Sequence, residues 1–169
     1  IEEITYFDGL GRPKQNIAIK ANPYGDDLVI PIEYDNFGRQ TKKNLPMPIA
    51  TKNGEIQTGI NEASVSSYYN VTNAYSEKVL DDSPLNRILE SAYPGDDWMK
   101  NSGHTVKYSY QSNSSTDEVK KYETTTTWDP TNKIFTSSLS QTTNYDDSVL
   151  YKYIITDENN NVETIFKDG

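Results

Sequence analysis

The chain has 169 residues, with 16 Lys and Arg against 25 Asp and Glu, which gives a formal net charge of −9. An acidic chain without a dense basic run lacks the side chains that displace counterions from a polyanion, so nucleic acid is excluded as a partner. The absence of Cys excludes disulfides, thiolate metal sites and a Cys nucleophile.

Apolar residues make up 34% of the chain, which predicts a thin core. The 13 Tyr residues suit half-buried sheet faces, because Tyr has an apolar body and a polar tip. No apolar run reaches the roughly 18 residues that a membrane span needs, and the chain begins at Ile1 without an initiator Met or a signal pattern. We therefore expect an ordered, β-rich and extracellular segment of a longer protein, without membrane insertion.

An internal repeat opens the chain. Residues 6–12 and 33–39 share the pattern Asp-x-(Leu/Phe)-Gly-Arg, and their Asp residues, Asp8 and Asp35, are 27 positions apart. Degenerate copies follow at residues 83–87, 129–133 and 157–161. The repetition predicts a series of similar hairpin turns.

The turn chemistry explains which residues recur. An Asp or Ser at the first position is expected to bond back to the turn amides, and the turn ends at a residue with positive φ, where Gly or Asn is tolerated. This position is occupied by Gly11, Gly38, Asn86, Asn132 and either Asn160 or Asn161. The basic residue that follows begins the return strand, and we expect its charge to pair with an acidic residue of a neighbouring hairpin; these basic residues are Arg12, Arg39, Arg87 and Lys133.

Segments rich in aromatic or β-branched residues flank the turns and predict strands. They lie at residues 4–6, 17–19, 28–30, 106–110, 124–128, 134–135 and 151–155. The best helix candidate is 61–69. Residues 83–90 fit both a helix start and the turn pattern, and we favour a hairpin there. The predicted fold class is all-β, made of antiparallel hairpins with little helix.

The repeats also suggest how the chain is organised. We treat residues 1–169 as a single segment, in which 1–46 hold two repeats and 47–74 form an irregular insertion between hairpins. Residues 75–169 carry the further degenerate hairpin repeats.

At this point the sequence resembles a known family. The Tyr- and Asp-containing turns that end in Gly-Arg, followed by Ser83-Pro84-Leu85-Asn86-Arg87 and by Pro94-Gly95-Asp96-Asp97-Trp98, resemble the opening of the Rhs/YD-repeat region of large Bacteroidetes surface proteins. The similar region is a domain of unknown function that precedes the Rhs core. The resemblance implies a β-sheet ribbon that spirals into a hollow shell around a variable C-terminal toxin or effector domain.

This sequence departs from the family pattern at one element. Their self-cleaving end carries an Asp-Pro-x-Gly-Leu element, whereas this chain has Asp129-Pro130-Thr131-Asn132-Lys133, with Asn for Gly and Lys for Leu. We therefore predict a repeat turn at this position and no autoproteolysis.

Four further groups of residues offer sharper chemistry. His104 is the only His, so a Ser-His-Asp triad would have to use it, and nothing in the pattern supplies the geometry. Adjacent acids, as at residues 26–27, 81–82, 96–97 and 146–147, point to opposite faces of an extended strand, so we interpret them as solvated turn acids rather than as a glycosidase pair.

The other two groups concern metals and sugars. Asp157 begins a loop with oxygen ligands at calcium-loop positions, but Val162 stands where the required Gly would be. Trp98 and Trp128, with the many Tyr, are residues that a sugar-stacking platform would use, although cross-strand packing uses the same residues. We predict no catalytic residue, no cofactor and no metal.

The predicted function is that of a non-catalytic structural segment of a secreted Rhs/YD-repeat protein. Its partners would be the rest of its own chain and the C-terminal effector, with secretion machinery or a surface glycan or protein as further candidates. The alternative is an extracellular, adhesin-like module that binds carbohydrate or protein. The residues predicted to build the repeat turns are Tyr6, Asp8, Gly11, Arg12, Tyr34, Asp35, Gly38, Arg39, Asn86, Arg87, Asp129 and Asn132.

Overall fold

The computed structural model describes residues 2–168 and confirms the all-β prediction: 45% of the chain is β-strand in antiparallel sheets and 7% is helical. The chain divides into two compact units. The first contains the residues up to Tyr108 together with Thr156–Asn161, and the second contains Ser109–Ile155 and the residues from Val162 onward.

A four-stranded antiparallel sheet opens the first unit. Its strands are β1 (Glu2–Phe7), β2 (Pro13–Ile19), β3 (Asp27–Pro31) and β5 (Met47–Ile49), in the order β1-β2-β3-β5. The register aligns Ile4 with Ile17, Ile17 with Val29, and Val29 with Met47, so these residues form one row across the sheet. Ile17 and Val29 are fully buried, which makes this row the centre of a small core.

The first unit also contains β4 (Lys42–Asn44), β6 (Tyr75–Leu80), β7 (Ile88–Ala92) and the beginning of β8 (Val106–Ser112). These strands are hydrogen-bonded in the order β4-β6-β7-β8. The 81–87 segment joins β6 to β7 as a hairpin, which confirms the hairpin interpretation of residues 83–90.

A single α-helix, α1 (Glu62–Tyr69), lies in residues 2–168, within the segment predicted to be irregular. Its N-cap is Asn61, whose side chain accepts a hydrogen bond from the Ser64 N–H, and Glu62 places a negative charge in the first turn. The helix ends at Asn70 in the left-handed region. The helix prediction for 61–69 is thus confirmed. No helix in the described part of the chain is long and apolar enough to cross a membrane.

The second unit holds the rest of β8, followed by a short 3-10 turn (Ser115–Asp117), β9 (Lys120–Asp129), β10 (Ile134–Asn144), β11 (Tyr151–Thr156) and β12 (Val162–Lys167). β8, β11 and β12 are neighbours in that order, whereas β9 and β10 form a separate two-stranded sheet. The buried Asn113 side chain organises this unit. Its Oδ1 accepts from the N–H groups of Val149 and Leu150, at 3.0 and 2.7 Å, and its Nδ2 donates to the Asp146 carbonyl.

The core is small and mixed, as the composition predicts. The buried apolar residues of the described chain are Ile17, Val29, Val65, Ala74, Ala92 and Leu150. An equal number of polar residues is buried with them: Gln15, Asp27, Asn44, Asn73, Thr105 and Asn113. Because a buried polar group is costly unless it is hydrogen-bonded, Gln15, Asp27 and Asn113 identify places where loops are fixed by specific bonds rather than by apolar packing.

Candidate functional site: the stacked Asp-Arg turns

The first repeat turn is closed by its own Asp. One carboxylate oxygen of Asp8, Oδ1, accepts from the backbone N–H groups of Leu10 and Arg12 at 2.8 and 2.9 Å, and the other, Oδ2, accepts from Arg12 Nε at 2.8 Å. Gly11 has φ of 76°, and its N–H donates to the Asp8 carbonyl. This is a hydrogen-bonded β-turn completed by a left-handed residue, the position at which the pattern predicts a positive φ.

The second turn repeats this geometry. Asp35 Oδ1 accepts from the Phe37 and Arg39 N–H groups at 2.9 Å each, and Asp35 Oδ2 accepts from Arg39 Nε at 2.8 Å. Gly38 has φ of 77°. Two segments 27 residues apart therefore reach the same set of bonds, because every one of these bonds joins residues within five positions of each other.

The third turn corrects the predicted alignment. The acid that binds Arg87 is Asp81, whose Oδ2 lies 2.8 Å from Arg87 Nε, and not Ser83. Ser83 takes over two of the bonds that the Asp makes in the first two turns: its hydroxyl accepts the Leu85 N–H at 3.2 Å, and its carbonyl accepts the Asn86 N–H at 3.1 Å. Asn86 occupies the left-handed position with φ of 49°, as predicted. The loop of the third turn is two residues longer than the loops of the first two. The bonds that a single Asp makes in the first two turns are therefore divided between an Asp and a Ser in the third.

The 157–161 turn follows the same plan without an Arg. Asp157 Oδ1 accepts from the N–H groups of Asn159 and Asn161, and Asp157 Oδ2 accepts from the Asn161 side-chain amide at 2.8 Å. Asn160 has φ of 64°. The carboxylate of Asp157 is thus used within the turn.

The 129–133 turn differs from the prediction at the left-handed position. Asp129 Oδ1 accepts from the Thr131 and Asn132 N–H groups, and Asp129 Oδ2 accepts from Asn132 Nδ2 at 2.7 Å. The residue with positive φ is Lys133, at 54°, and not Asn132. Asp129 pairs with Ile134 across the ribbon, so the loop has four residues and its last one must turn left-handed to rejoin the strand.

Residues 22–26 form a further turn of this type, which the sequence analysis missed. Asn22 replaces the acid: its Oδ1 accepts from the Tyr24 and Asp26 N–H groups at 2.9 and 2.7 Å, and its Nδ2 donates to Asp26 Oδ2 at 3.0 Å. Relative to the 157–161 turn, the amide and the carboxylate have exchanged ends. The Asn-Pro and Gly of this segment are turn signals that would have found it.

The basic residues pair mainly within their own turns, which corrects the prediction that they bind acids of neighbouring hairpins. Arg12, Arg39 and Arg87 each form a salt bridge of 2.8 Å with the Asp that opens the same turn. The reason is local: the return strand carries the guanidinium back past the first residue of the turn, so the shortest path to a carboxylate is within the hairpin.

Neighbouring turns are nevertheless linked, through groups other than acids. The Arg12 guanidinium lies 4.4 Å from the centre of the Tyr34 ring, next to the second turn, and the Tyr34 hydroxyl donates to the Pro13 carbonyl at 2.8 Å. From the second turn, Arg39 Nη1 donates to Asn86 Oδ1 of the third turn at 2.8 Å. Each of these two Arg residues thus closes its own turn and contacts the next, and we call this arrangement the turn ladder.

The three turns carry exposed apolar side chains at equivalent positions. In each turn the apolar residue directly precedes the left-handed residue. The residues are Leu10, Phe37 and Leu85, and they are 79%, 81% and 73% exposed. The Tyr of the first repeat points elsewhere, because the Tyr6 hydroxyl donates to the Gly54 carbonyl at 2.8 Å.

Hydrogen bonding lowers the pKa of the turn acids below the ordinary Asp value of 3.8. For Asp8 and Asp35 the largest cause is the backbone N–H of Arg12 and of Arg39, respectively; for Asp81 it is the Arg87 side chain. For Asp129 and Asp157 it is the side-chain amide of Asn132 and of Asn161. In each case the donors favour the charged form.

These shifts predict acid lability. A carboxyl whose pKa is lower in the folded state than in the unfolded state stabilises the fold. This stabilisation is complete above the unfolded-state pKa, about 3.9. It is lost as the pH falls through the folded-state pKa. We expect the carboxyl contribution to the Tm to be constant above about pH 5 and to fall below about pH 4. Thermal unfolding monitored by circular dichroism across this range tests it. Asp35→Asn should reduce the acid slope, and an unchanged slope would contradict the assignment.

Two buried polar side chains hold the irregular 50–60 segment, and the sequence analysis missed both. Gln15 makes a pair of bonds to Gln57, donating to its carbonyl and accepting from its N–H. Asp27, interpreted as a solvated turn acid, is fully buried, which corrects that interpretation. Its carboxylate accepts from the Lys20 N–H at 2.9 Å, the Thr51 hydroxyl at 3.1 Å and the Gly54 N–H at 2.9 Å. The signal was an Asp at the start of an otherwise apolar strand.

Burial and hydrogen bonding act in opposite directions on Asp27. Burial raises the pKa of its carboxyl, but the donors, led by the Lys20 and Gly54 N–H groups, outweigh burial and lower the pKa below 3.8. The group is therefore a charged anchor for the loop.

His104 lies at the surface beside an aromatic ring. Its Nδ1 is 2.9 Å from the Asp97 carbonyl oxygen, and its ring centre is 5.5 Å from that of Trp98. Within residues 2–168 there is no group of three or more His, Asp or Glu side chains arranged to hold a metal ion.

Comparison with known proteins places most of these turns in one family region. No curated protein and no solved structure matches the chain. A family model described as "Domain of unknown function (DUF6443)" matches residues 1–112, which contain the whole turn ladder, the 22–26 turn and the Asp27 anchor. The chain belongs to the DUF6443 family.

Proposed function

We propose that the chain is a non-catalytic structural segment of a secreted Rhs/YD-repeat protein, and that it contributes strands to a β-shell that encloses or delivers a C-terminal toxin or effector domain. The observation that carries the proposal is the turn ladder. Arg12 on Tyr34 and Arg39 on Asn86 link successive repeats, so that each turn supports the next. A device that stacks hairpins in sequence order suits a wall built from a repeating ribbon.

The side chains around the ladder support a structural role. The Asp carboxylates of the three Asp-Arg turns are engaged with backbone N–H groups and Arg side chains of the same turns. A general acid or base needs a carboxyl that can exchange a proton with a substrate near its working pH. Carboxyls whose pKa is lowered by such bonds stay charged and serve to fix the backbone.

Under this proposal the partners are the remainder of the same protein and its C-terminal effector, and the protein acts outside the cell or at the cell surface. The strand edges support the idea of a continuing sheet. β1, β4 and β12 each have one neighbour in their sheets, and an unpaired edge is a template for another strand.

Hydrogen exchange with mass spectrometry tests the proposal. The amides of β1, β4 and β12 would be compared between this chain alone and the longer protein that contains it. The proposal predicts that the amides of these strands that face the free edge, and do not bond to the neighbouring strand, exchange slowly only in the longer protein. The amides of the central strand β2 should exchange slowly in both samples. Equal, fast exchange of the edge amides in both samples would contradict the wall role.

A second candidate function, an adhesin-like binding module, is favoured by one observation. Trp98 and Tyr93 are each 44% exposed in one loop, and Trp98 contacts His104. Exposed aromatic rings beside polar groups suit glycan or protein contact. The test is binding of the chain to a panel of glycans. Binding that is lost in Trp98→Ala and kept in Trp128→Ala would support this function over the first.

A further inference from the structure

The ribbon formed by β9 and β10 has two chemically different faces. Residues directly opposite in an antiparallel pair share a face, and the register pairs Trp128 with Phe135, Thr126 with Ser137, and Thr124 with Leu139. We call this the apolar face; it also carries Tyr122, opposite Gln141. The opposite face is hydroxyl-rich, with Thr125, Thr127, Thr136, Ser138 and Ser140.

No part of the described chain covers the apolar face. Phe135 and Leu139 are each 70% exposed, Tyr122 is 54% exposed and Trp128 is 48% exposed. An isolated two-stranded hairpin is at best marginally stable in water. A surface that packs on this ribbon, whose strands have 10 and 11 residues, would therefore stabilise it. The exposed face is therefore a candidate interface.

Charge indicates what kind of surface fits. The chain carries a net charge of −9, yet residues 124–144 contain only one acidic and one basic residue, Asp129 and Lys133, both at the turn. Within residues 122–128 and 135–141, no residue on the apolar face is charged. The face therefore has no charge that would favour an acidic or a basic partner. The low charge of the ribbon also makes it a place where two copies of this acidic chain approach each other with little repulsion.

The ring geometry argues against a sugar platform on this face. Trp128 and Phe135 have ring centres 4.9 Å apart, and their planes are inclined by 59°. A pyranose stacks on a flat aromatic surface, whereas these rings pack against each other and present an uneven ridge. Such a ridge fits another side-chain surface better than a planar ligand.

We propose that the apolar face of the ribbon is a homodimer interface, in which two copies pack ribbon on ribbon around a two-fold axis. The proposal is independent of the shell function above. With the axis through the Thr126–Ser137 row and perpendicular to the strands, Trp128 of one copy faces the partner's Thr124, and Phe135 faces the partner's Leu139. Large side chains thereby meet smaller ones, as in two packed sheets.

The area is sufficient for a weak dimer. With the three aromatic side chains and Leu139 each contributing on the order of 100 Å² at these exposures and the smaller side chains between them adding the rest, the face buries roughly 500 Å² per copy, or about 1,000 Å² in total. That total lies at the lower limit of specific interfaces, so we expect a dissociation constant in the micromolar range and not tighter.

Sedimentation velocity of the whole chain, from about 1 to about 200 µM, measures this equilibrium. Two substitutions at adjacent, exposed positions of β10 provide a matched pair. Leu139→Lys places a charge on the apolar face, and Ser138→Lys places the same charge on the opposite face. We expect Leu139→Lys to weaken dimerisation at least about tenfold and Ser138→Lys to leave it within about twofold. Circular dichroism checks that both variants fold.

Two outcomes would overturn the proposal. They are a monomer over the whole concentration range and equal weakening of the dimer by both substitutions. Trp128 emission in a Trp98→Phe background gives an independent readout. It should shift to shorter wavelength as the dimer forms, and it should not shift in Leu139→Lys.

Discussion

Asp27→Asn is expected to destabilise the first unit by about 3 kcal/mol, because it removes one acceptor from a buried carboxylate on which several donors converge. The amide keeps the size of the side chain but turns one oxygen into an N–H donor. That donor would meet either the Lys20 N–H or the Gly54 N–H, both now bound at 2.9 Å. Urea unfolding monitored by Trp98 fluorescence, in a Trp128→Phe background, measures the loss.

The neighbouring acid supplies the control. Asp26 is partly exposed, accepts from the Asn22 side chain, and lies 3.9 Å from an exposed Lys52. Because an amide at this position would keep an acceptor oxygen for Asn22 Nδ2, we expect Asp26→Asn to change the free energy of unfolding by less than about 0.5 kcal/mol. Similar losses in the two variants would show that Asp27 is not the anchor of the 50–54 loop.

Gly54→Ala is expected to cost about 3 kcal/mol through two separate effects, backbone strain and overpacking. Gly54 has φ of +69°, in the left-handed region. An added Cβ would lie 2.7 Å from both Ile4 Cδ1 and Ile19 Cδ1, which belong to the opening sheet. The same residue also donates its N–H to Asp27 and accepts from Tyr6, so any displacement would disturb both bonds.

A second Gly separates strain from crowding. Gly59 has φ of +89°, and a Cβ there would have no heavy atom within 4 Å. Gly59→Ala should therefore show the cost of backbone strain alone, about 1 kcal/mol. The difference between the two variants in denaturant unfolding measures the close packing of the loop on the sheet. Equal losses would mean that the loop can move away from Ile4 and Ile19 at little cost.

The turns were predictable from sequence because their bonds are local. Asp8, Gly11 and Arg12 reach their partners within five residues, so the pattern alone contains the geometry. The helix N-cap at Asn61 is local for the same reason. Seven strands, β1 to β3 and β8 to β11, followed from their aromatic and β-branched content, whereas β4 to β7 and β12 were not predicted as strands.

The features that sequence analysis missed depend on distant parts of the chain. Asp27 is an anchor only because residues 51–54 return to it. Gln15 is an anchor only because Gln57, 42 positions later, returns to it. The contacts between turns are of this kind too, since Arg39 and Asn86 are 47 positions apart. The 81–87 turn was misaligned because a longer loop let two residues share the role that one Asp fills elsewhere.

The buried polar side chains explain how a chain with little apolar content holds its loops. Gln15 and Asp27 in the first unit, and Asn113 in the second, each bind the backbone of a segment that has no strand partner at that point. Such bonds are directional, so they select one loop conformation where apolar packing alone would allow several. The turn ladder uses the same chemistry at the surface, where the Asp and Arg side chains of each turn bind its backbone and each other.

The central claim is that successive Asp-Arg turns support one another, and a double-mutant cycle between Arg39 and Asn86 tests it most directly. Arg39→Lys removes the donor that reaches Asn86, and Asn86→Gly removes the acceptor while keeping a residue that tolerates positive φ. Urea unfolding of both single variants and the double variant gives their coupling. We predict a coupling free energy of about 0.5 kcal/mol or more, with Arg12→Lys and Asn86→Gly additive as the control pair. Additive losses for Arg39 and Asn86 would show that the second and third turns stand side by side without supporting each other through this bond, which would contradict the central claim.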